Sequence, residues 1–98
     1  MPFVQLVEFQ TDNVAEFNAI ADEWLETSKE WRTATRAALT QDRDRPGTYL
    51  QMVEFPTYEA AMENSNRPET SKFAERLAAL CTSGPVFRNL DVERIDHM

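Results

Sequence analysis

The 98-residue sequence predicts an α+β fold in which helices cover an antiparallel sheet, and two observations favour this class. Residues 3–9 (FVQLVEF) and 49–55 (YLQMVEF) are nearly the same strand written twice, as aromatic, aliphatic, Gln, aliphatic, Val, Glu and Phe. Each copy is followed within a few residues by a polar capping residue and a segment of helical periodicity. The sequence therefore predicts two strand-helix units.

Composition places the chain among ordinary globular proteins, with 42% hydrophobic and 28% charged residues, and we expect one domain spanning residues 1–98. The single cysteine, Cys81, cannot form an internal disulfide, and the first residues lack the pattern of a signal peptide, so a cytoplasmic location is expected. No apolar run approaches the roughly 20 residues that cross a bilayer. A net charge of -7 makes nucleic acid an unfavourable partner, because its phosphates repel an acidic surface.

The first repeated strand leads into a predicted amphipathic helix. Asp12 or Asn13 caps it, and Asn13 stands three residues before Glu16, which is the spacing of a capping box. Mostly apolar residues then recur at steps of three and four, as expected for a helix packed on a sheet. This stripe consists of Val14, Phe17, Ile20, Ala21, Trp24, Leu25, Ser28 and Trp31. Neither Gly nor Pro marks the C-terminal end of the helix, which is the least defined boundary in the chain.

A hairpin is predicted next. Residues 33–41 alternate loosely between two faces and indicate the second strand. The polar loop that follows ends in Pro46-Gly47, a pair that favours a type II turn because Pro fixes φ and Gly accepts a positive φ. The chain then returns through the third strand at residues 48–55, which contains the second copy of the repeat.

The helical segment after the third strand is predicted to be in two pieces. Pro56 closes the strand because it cannot donate to a ladder, and Thr57 caps the first piece. The run Asn-Ser-Asn at residues 64–66 interrupts the helix. Pro68 then opens a second piece, which is predicted to continue to about Cys81.

The remaining residues complete the predicted topology. Gly84-Pro85 is expected to end the last helix, and the alternation of residues 86–95 predicts a final strand. The order is β-α-β-β-α-β. Two units of this kind satisfy their strand edges best in one four-stranded antiparallel sheet with the helices on one face, which is the ferredoxin-like arrangement.

Both faces of the two repeated strands are apolar, although helices on one side can cover only one of them. One face carries Phe3, Val7, Phe9, Tyr49, Val53 and Phe55. The other face carries Val4, Leu6, Leu50 and Met52. A soluble monomer of this size rarely leaves such a face in water, so we expect a homodimer in which two sheets pack face to face.

With these features the chain resembles the dimeric α/β barrel superfamily, which includes antibiotic biosynthesis monooxygenases, haem-degrading monooxygenases and stress-responsive barrel proteins. The segments that carry the resemblance are FVQLVEF, RDRPGTYLQMVEF, PTYEAAMENS and FRNLDVERI. The resemblance implies a dimeric α/β barrel with an organic ligand in a cleft between helices and sheet. It also implies a cofactor-independent monooxygenase-like activity, in which an electron-rich phenol or quinol is held beside dioxygen.

Six side chains are candidates for the ligand pocket, while the catalytic residues stay unknown. The six are Gln5, Gln51, Trp24, Trp31, Tyr49 and Asn13. The two glutamines recur in register and could orient a ligand carbonyl or hydroxyl, but we favour the interpretation that they bond each other or line the dimer interface. The two tryptophans are seven residues apart, so both are expected to face the sheet, either as a pocket wall or, more simply, as core.

No metal or other cofactor is expected, because one His and one Cys provide no ligand spacing. Haem is disfavoured, since His97 stands at the penultimate position. Two alternative functions stay open. Met1-Pro2 precedes a β-α-β unit, as in tautomerases that use an N-terminal proline as general base. A non-catalytic metabolite-binding or accessory dimer is favoured by the absence of an ordered acid-base set.

Overall fold

The structure, a computed structural model that describes residues 2–98, has the predicted order of elements with the second helical segment in two pieces. The elements are β1 (Phe3–Gln10), α1 (Val14–Ser28), β2 (Arg36–Gln41), β3 (Thr48–Phe55), α2 (Tyr58–Ser65), α3 (Pro68–Ala79) and β4 (Ser83–Asp91). All neighbouring strands are antiparallel, in the order β2-β3-β1-β4. This is a ferredoxin-like α+β fold, as predicted.

The two copies of the repeated strand lie side by side at the centre of the sheet, with Phe3 of β1 opposite Phe55 of β3. Paired residues project from the same face, so the odd-numbered residues of both strands share one face and the even-numbered residues share the other. Helices cover the odd face, where Phe9 stacks on Phe17 of α1 and Phe55 packs with Ala61 of α2. We call this the helix-facing side and the opposite one the helix-free face.

Helix α1 has 15 residues and buries Phe17, Ile20 and Ser28 of the predicted stripe. On its exposed side the Glu23 carboxylate accepts a hydrogen bond from Arg76 of α3, with Oε2 and Nη2 2.8 Å apart. This ion pair joins the two helices above the sheet. Within residues 2–98, no helix is both long enough and apolar enough to cross a membrane.

The ends of α1 are fixed by side chains. Asn13 is the cap, and its Oδ1 accepts from the backbone N–H of Glu16 at 3.3 Å. The reciprocal half of a capping box is replaced, because the Asn13 N–H donates to Thr11 Oγ1 at 3.1 Å. At the other end, Arg32 Nη1 donates to the carbonyl of Leu25 at 2.8 Å and satisfies an acceptor of the last turn. That arginine replaces the glycine or proline that usually signals a helix end.

The predicted hairpin is present, although its first strand is shorter than expected. β2 begins at Arg36 instead of residue 33. Thr33 contacts α2 instead, because its hydroxyl donates to the carbonyl of Ala60 in that helix. The turn before β3 has the predicted type II conformation. Its closing bond runs from the Thr48 N–H to the Arg45 carbonyl at 3.0 Å, and Gly47 has φ +87.

β4 begins earlier than predicted, and Gly84-Pro85 lies inside it instead of ending the preceding helix. The helix α3 ends at Ala79 without that dipeptide. The pairing of β4 with β1 shifts register between Glu8 and Gln10, which is the signature of a β-bulge. Gly84 has φ +83 at this bulge, so the glycine permits an irregular strand and does not mark a boundary.

β4 also ends earlier than predicted, at Asp91 instead of residue 95. Asp91 pairs with Phe3, the first residue of β1. The following N–H, that of Val92, donates to the Pro2 carbonyl at 3.2 Å. The last strand therefore ends where its antiparallel partner β1 begins, a limit that the alternation of residues 86–95 did not indicate.

Candidate functional site

A small cavity of about 60 Å³ lies between the helix-facing side of the sheet and the helices α1 and α3. We call it the cleft. Its lining consists of Val7, Phe9, Gln51, Pro85 and Phe87 from the strands, and of Phe17, Ala74, Leu77, Ala78 and Cys81 from the helical side. Its place between helices and sheet makes the cleft the candidate site for a small ligand.

Three of the lining residues form a row across three strands. Val7 of β1 pairs with Gln51 of β3 on one side and with Phe87 of β4 on the other. Adjacent strands are about 4.8 Å apart, so the backbones at Gln51 and Phe87 are separated by about 10 Å. We call these three residues the cross-strand row. It provides an apolar floor with an amide at its inner end and an aromatic ring at the edge strand.

The cleft lining contains no charged side chain, and its polar side chains are the Gln51 amide and the Cys81 thiol. Burial raises the pKa of the Cys81 thiol above its usual value of 9.0. The sulfur lies 3.4 Å from the carbonyl oxygen of Leu77, to which the thiol donates. Cys81 is therefore protonated near neutral pH and is neither a base nor an activated nucleophile.

An aromatic layer closes one end of the cleft. The ring of Phe9 stacks on Phe17, with centroids 4.7 Å apart and planes inclined by 13°. The Phe9 ring also stacks on Tyr49, with centroids 5.6 Å apart and planes inclined by 18°. Tyr49, a predicted pocket residue, thus supports the wall from behind Phe9 and is not part of the lining. Stacked rings hold this wall flat and restrict its motion.

The two glutamines both lie on the helix-facing side but have different surroundings. Gln5 pairs with Val53 in the sheet, whereas Gln51 pairs with Val7 at the cleft. The Gln5 Nε2 donates a long hydrogen bond, 3.4 Å, to Asn89 Oδ1 on β4. The interpretation of a mutually bonded pair is therefore wrong, whereas a place for the glutamines in a dimer interface stays a prediction. Gln51 is the glutamine that reaches the cleft.

Trp24 and Trp31 contact each other at the end of α1 and are not among the residues that line the cleft. Their rings meet edge to face with centroids 6.4 Å apart. The Arg67 guanidinium carbon lies 4.4 Å from the centroid of the Trp31 ring, in cation–π geometry. The pair therefore joins α1 to the junction between α2 and α3. Asn13, the remaining predicted residue, is committed to the helix cap.

Asn64 is a buried polar residue that the sequence indicated only as part of a helix interruption. It is 6% exposed at the end of α2, and its Oδ1 has no hydrogen-bond partner within residues 2–98. The same holds for Thr70 Oγ1 in α3 and for Trp24 Nε1. A buried polar atom without a partner costs on the order of 1–3 kcal/mol. The burial of Asn64 depends on the packing of α2, for which the sequence carries no local signal.

A second, wider depression of about 350 Å³ lies at the loop after β2. It is lined by Gln41, Asp42, Arg43 and Pro46. Although larger, it is open to solvent and polar, and Asp42 is already bonded to Arg45 at 3.1 Å. An open polar loop provides little desolvation for chemistry, so the smaller, more apolar and less open cleft is the better candidate.

The two alternative chemistries, proline-based tautomerisation and metal catalysis, have no catalytic group at the cleft. Pro2 stands five residues before Val7 on β1, about 17 Å along the strand, so a base at Pro2 does not reach a ligand in the cleft. Within residues 2–98, no group of three or more His, Cys, Asp or Glu side chains is placed to hold a metal ion. The chemistry available to the cleft is therefore that of an uncharged, largely apolar site.

Solved structures share this architecture, although no protein-family model and no curated protein matches the sequence. SnoaB from Streptomyces nogalater, described as a cofactor-independent oxygenase, superposes with a TM-score of 0.80 in a variant in which one asparagine is replaced by alanine. The alignment covers 96% of this chain and 95% of that chain at 17% identity. This chain has the SnoaB fold.

Two further structures agree. Rv0793 from Mycobacterium tuberculosis aligns with a TM-score of 0.74 and 15% identity, over 99% of this chain and 98% of that chain. A protein of Caulobacter crescentus, provisionally assigned as an antibiotic biosynthesis monooxygenase, gives a TM-score of 0.78 and 14% identity, over 95% and 91% of the two chains. The predicted resemblance is thus confirmed at the level of the fold, which these proteins share over almost their whole length.

Proposed function

We propose that this protein is a cofactor-independent monooxygenase-like enzyme that acts on a small aromatic or quinol-type compound in the cleft. The observation that carries the proposal is the lining itself, which is uncharged, largely apolar, bounded by stacked aromatic rings and supplied with one amide, that of Gln51. The shared fold with SnoaB, whose description is a cofactor-independent oxygenase, supports the same reaction class.

The chemistry needs no electron donor other than the substrate. For the keto tautomer of a hydroxylated arene, in which one ring carbon carries two hydrogens, the overall reaction is R₂CH₂ + O₂ → R₂C=O + H₂O, so that one oxygen atom enters the product and the other leaves as water. The substrate carbon supplies all four electrons. What the protein must provide is a dry position that holds an electron-rich ring in one orientation beside dioxygen.

Gln51 is the residue we assign to orientation. Its amide can accept from a substrate hydroxyl or donate to a carbonyl, and it can stabilise the negative charge that develops on the substrate oxygen when a proton is lost. The lining offers no carboxylate, imidazole or amine to take that proton. We therefore propose that a ring carbon on the side away from Gln51 releases this proton to solvent at the mouth of the cleft, while Gln51 holds the oxygen that takes the negative charge.

We also propose that the active protein is a homodimer formed through the helix-free face. This face presents Val4, Leu6, Leu50 and Met52 of the central strands. On β4 it continues through Leu90, which pairs with Val4 and is 41% exposed. Met52 is 38% exposed. Val4 is already buried, at 8% exposure, so two apolar sheets packed face to face would remove the half-buried Leu6 and Leu50 and the exposed Met52 and Leu90 from water.

Oxygen uptake tests the proposed function. Phenols, quinols, haem and short 2-oxo acids are first screened for a rise in the Tm of the protein, since a bound ligand stabilises the folded state. Each hit is then followed with an oxygen electrode, without added flavin or metal. We expect a quinol-type hit to consume dioxygen, and Gln51→Leu to lower kcat/KM by roughly 10- to 100-fold. Gln41→Leu, an exposed glutamine of β2, is the matched control.

The other outcomes assign the alternatives. Stabilisation by a ligand with no oxygen consumption would contradict the oxygenase proposal and identify a metabolite-binding or accessory module. Tautomerisation of a 2-oxo acid that is lost in Pro2→Ala would identify a tautomerase. Equal loss of activity in Gln51→Leu and Gln41→Leu would remove Gln51 from its assigned role.

A further inference from the structure

We infer that the cross-strand row selects a neutral hydroxylated or carbonyl-bearing arene, which enters over the edge strand β4, stacks on Phe87 and points its oxygen at Gln51. This inference rests on the proposed function, since it takes the cleft as the substrate site. The inference adds to the proposed function the charge of the ligand, its direction of entry and the residue at the entrance.

The register defines the direction of entry. β4 is an edge strand, so Phe87 stands at the open side of the sheet, whereas Gln51 lies two strands further in on β3. Between them the floor is the aliphatic side chain of Val7. A flat ring that lies on Val7 meets an aromatic face at its outer end and a hydrogen-bonding amide at its inner end. The spacing of about 10 Å between the two ends suits a molecule of one or two fused rings.

The volume of the cleft shows that one wall must move. An apolar cavity of about 150 Å³ holds benzene, so the 60 Å³ present here is too small for a ring. Phe17 and Phe9 are buried in the stacked layer, at 3% and 2% exposure, and are held in place. Phe87 is 55% exposed on the edge strand. It is therefore the wall that turns outward to admit a ring and then stacks against it.

The lining sets the charge of the ligand. A carboxylate or sulfonate in the cleft would be desolvated without a cation to pair with, because no Lys, Arg or His lines it. Ala74 and Ala78, one turn apart on α3, leave space above Val7 without adding a polar group. The net charge of -7 disfavours anions further. A hydroxyl or carbonyl is the polar group that Gln51 can satisfy.

Binding of three related probes to the full chain tests the inference without any need for turnover. The probes are 2-naphthol, naphthalene and 2-naphthalenesulfonate, and Kd is measured by isothermal titration calorimetry. In the wild type we expect 2-naphthol to bind roughly 3- to 10-fold more tightly than naphthalene, the worth of one neutral hydrogen bond. The sulfonate should not bind in the same concentration range.

The variants separate the two ends of the row. Gln51→Met keeps the length of the side chain and should abolish the difference between 2-naphthol and naphthalene. Phe87→Leu should weaken both by roughly 2- to 10-fold through loss of ring stacking. Leu25→Ala truncates an apolar side chain of α1 that is 45% exposed and should change neither Kd. If Gln51→Met does not fold, Gln51→Glu tests the same end, where the added charge should weaken 2-naphthol.

The inference is overturned if 2-naphthol does not bind the wild type, if naphthalene or the sulfonate binds equally well, or if Phe87→Leu behaves like Leu25→Ala. These results are distinct from failure of the proposed function. The expected binding pattern without oxygen consumption by any quinol would keep the ligand class and remove the oxygenase. Oxygen consumption in a protein that does not bind 2-naphthol would keep the oxygenase and remove the ligand class.

Discussion

At the scale of single residues, two glycines have the same backbone conformation but different surroundings. Gly47 and Gly84 have φ values of +87 and +83. A Cβ on Gly47 would meet only a backbone oxygen at 3.8 Å, which is ordinary contact. A Cβ on Gly84 would lie 2.8 Å from the Glu8 carbonyl oxygen and 3.2 Å from the Phe9 Cα, both backbone atoms of the neighbouring strand. Conformation alone therefore underestimates the requirement for glycine at Gly84.

Alanine substitution measures this difference. Gly47→Ala should cost about 1–2 kcal/mol of unfolding free energy, the cost of the left-handed conformation for a residue with a Cβ. Gly84→Ala should cost at least about 1 kcal/mol more, because β1 must shift to relieve the contact. Urea denaturation of both variants provides the comparison. Equal losses would mean that β1 accommodates the added atom without strain.

The Cys81 thiol should react slowly at neutral pH. Its raised pKa means that alkylation by iodoacetamide stays slow until the pH rises above 9.0. The unfolded chain loses this proton at lower pH than the folded chain, so stability falls as pH rises above 9.0. A cleft ligand should lower the alkylation rate further, as followed by mass spectrometry. Fast alkylation at pH 7 in the folded protein would contradict the burial of the thiol.

At the scale of secondary structure, polar side chains fix where helices start, end and meet. Asn13 begins α1, Arg32 closes it, and the ion pair of Glu23 with Arg76 joins it to α3. The contact of Arg32 with the Leu25 carbonyl accounts for the end of α1 before Trp31, although the apolar stripe continues. These contacts also leave Asn13 with a structural task that competes with its predicted place in the pocket.

Substitution of Asn13 distinguishes the two roles. Asn13→Ala should lower the unfolding free energy by about 1 kcal/mol, whereas Asn13→Ser keeps a cap oxygen and should change it by a few tenths. Neither should alter the Kd for 2-naphthol. Thermal denaturation and calorimetry measure the two quantities. Loss of binding in Asn13→Ser, with stability retained, would return Asn13 to the ligand site.

The ion pair between the helices predicts an acid-side pH dependence. The hydrogen bond from Arg76 is the main cause that lowers the pKa of Glu23 from its usual 4.5. The folded state then binds fewer protons than the unfolded state, so the contribution is present above pH 4.5 and lost as pH falls through the lowered pKa. It is small, because the pair is exposed. An NMR titration should show the Glu23 pKa return towards 4.5 in Arg76→Gln, and an unchanged value would contradict the pairing.

At the scale of the whole molecule, the sheet has one side covered by helices and the cleft, and one side, the helix-free face, that no helix covers. Val4 is buried on this face, whereas Met52 and Leu90 are exposed. The apolar residues of this face alternate along each strand with those that reach the cleft, so one strand serves two surfaces. A homodimer through this face would leave both clefts on the outer, helical side of the assembly.

Sedimentation of the protein at micromolar concentration tests this assembly. The wild type should have twice the mass of one chain, and Met52→Glu should shift it to a monomer, because a charge on the helix-free face would be buried without a partner. Leu25→Glu on the exposed side of α1 is the control and should leave the dimer intact. A wild type with the mass of one chain, 11.3 kDa, would contradict the proposal.

Much of the fold could be predicted because its signals are local. The repeated strand, the steps of three and four in α1, the Thr57 cap and the Pro46-Gly47 turn each lie within a few residues. The prediction that Gly84-Pro85 ends the last helix was wrong because it too rested on a local signal. A local pattern cannot distinguish a helix terminator from a bulge that exists only because β1 pairs with β4.

The site depended on contacts between residues far apart in the sequence. Gln51 was identified from its repeat, but its place in the cleft, and the place of Gln5 beside Asn89, follow from strand register. Phe87 had no local signal beyond alternation, and Asn64 had none for burial. The sequence by itself determined the two apolar faces, because side chains alternate along any strand. Only tertiary structure decided which residues share the cleft, because pairing and helix packing bring distant positions together.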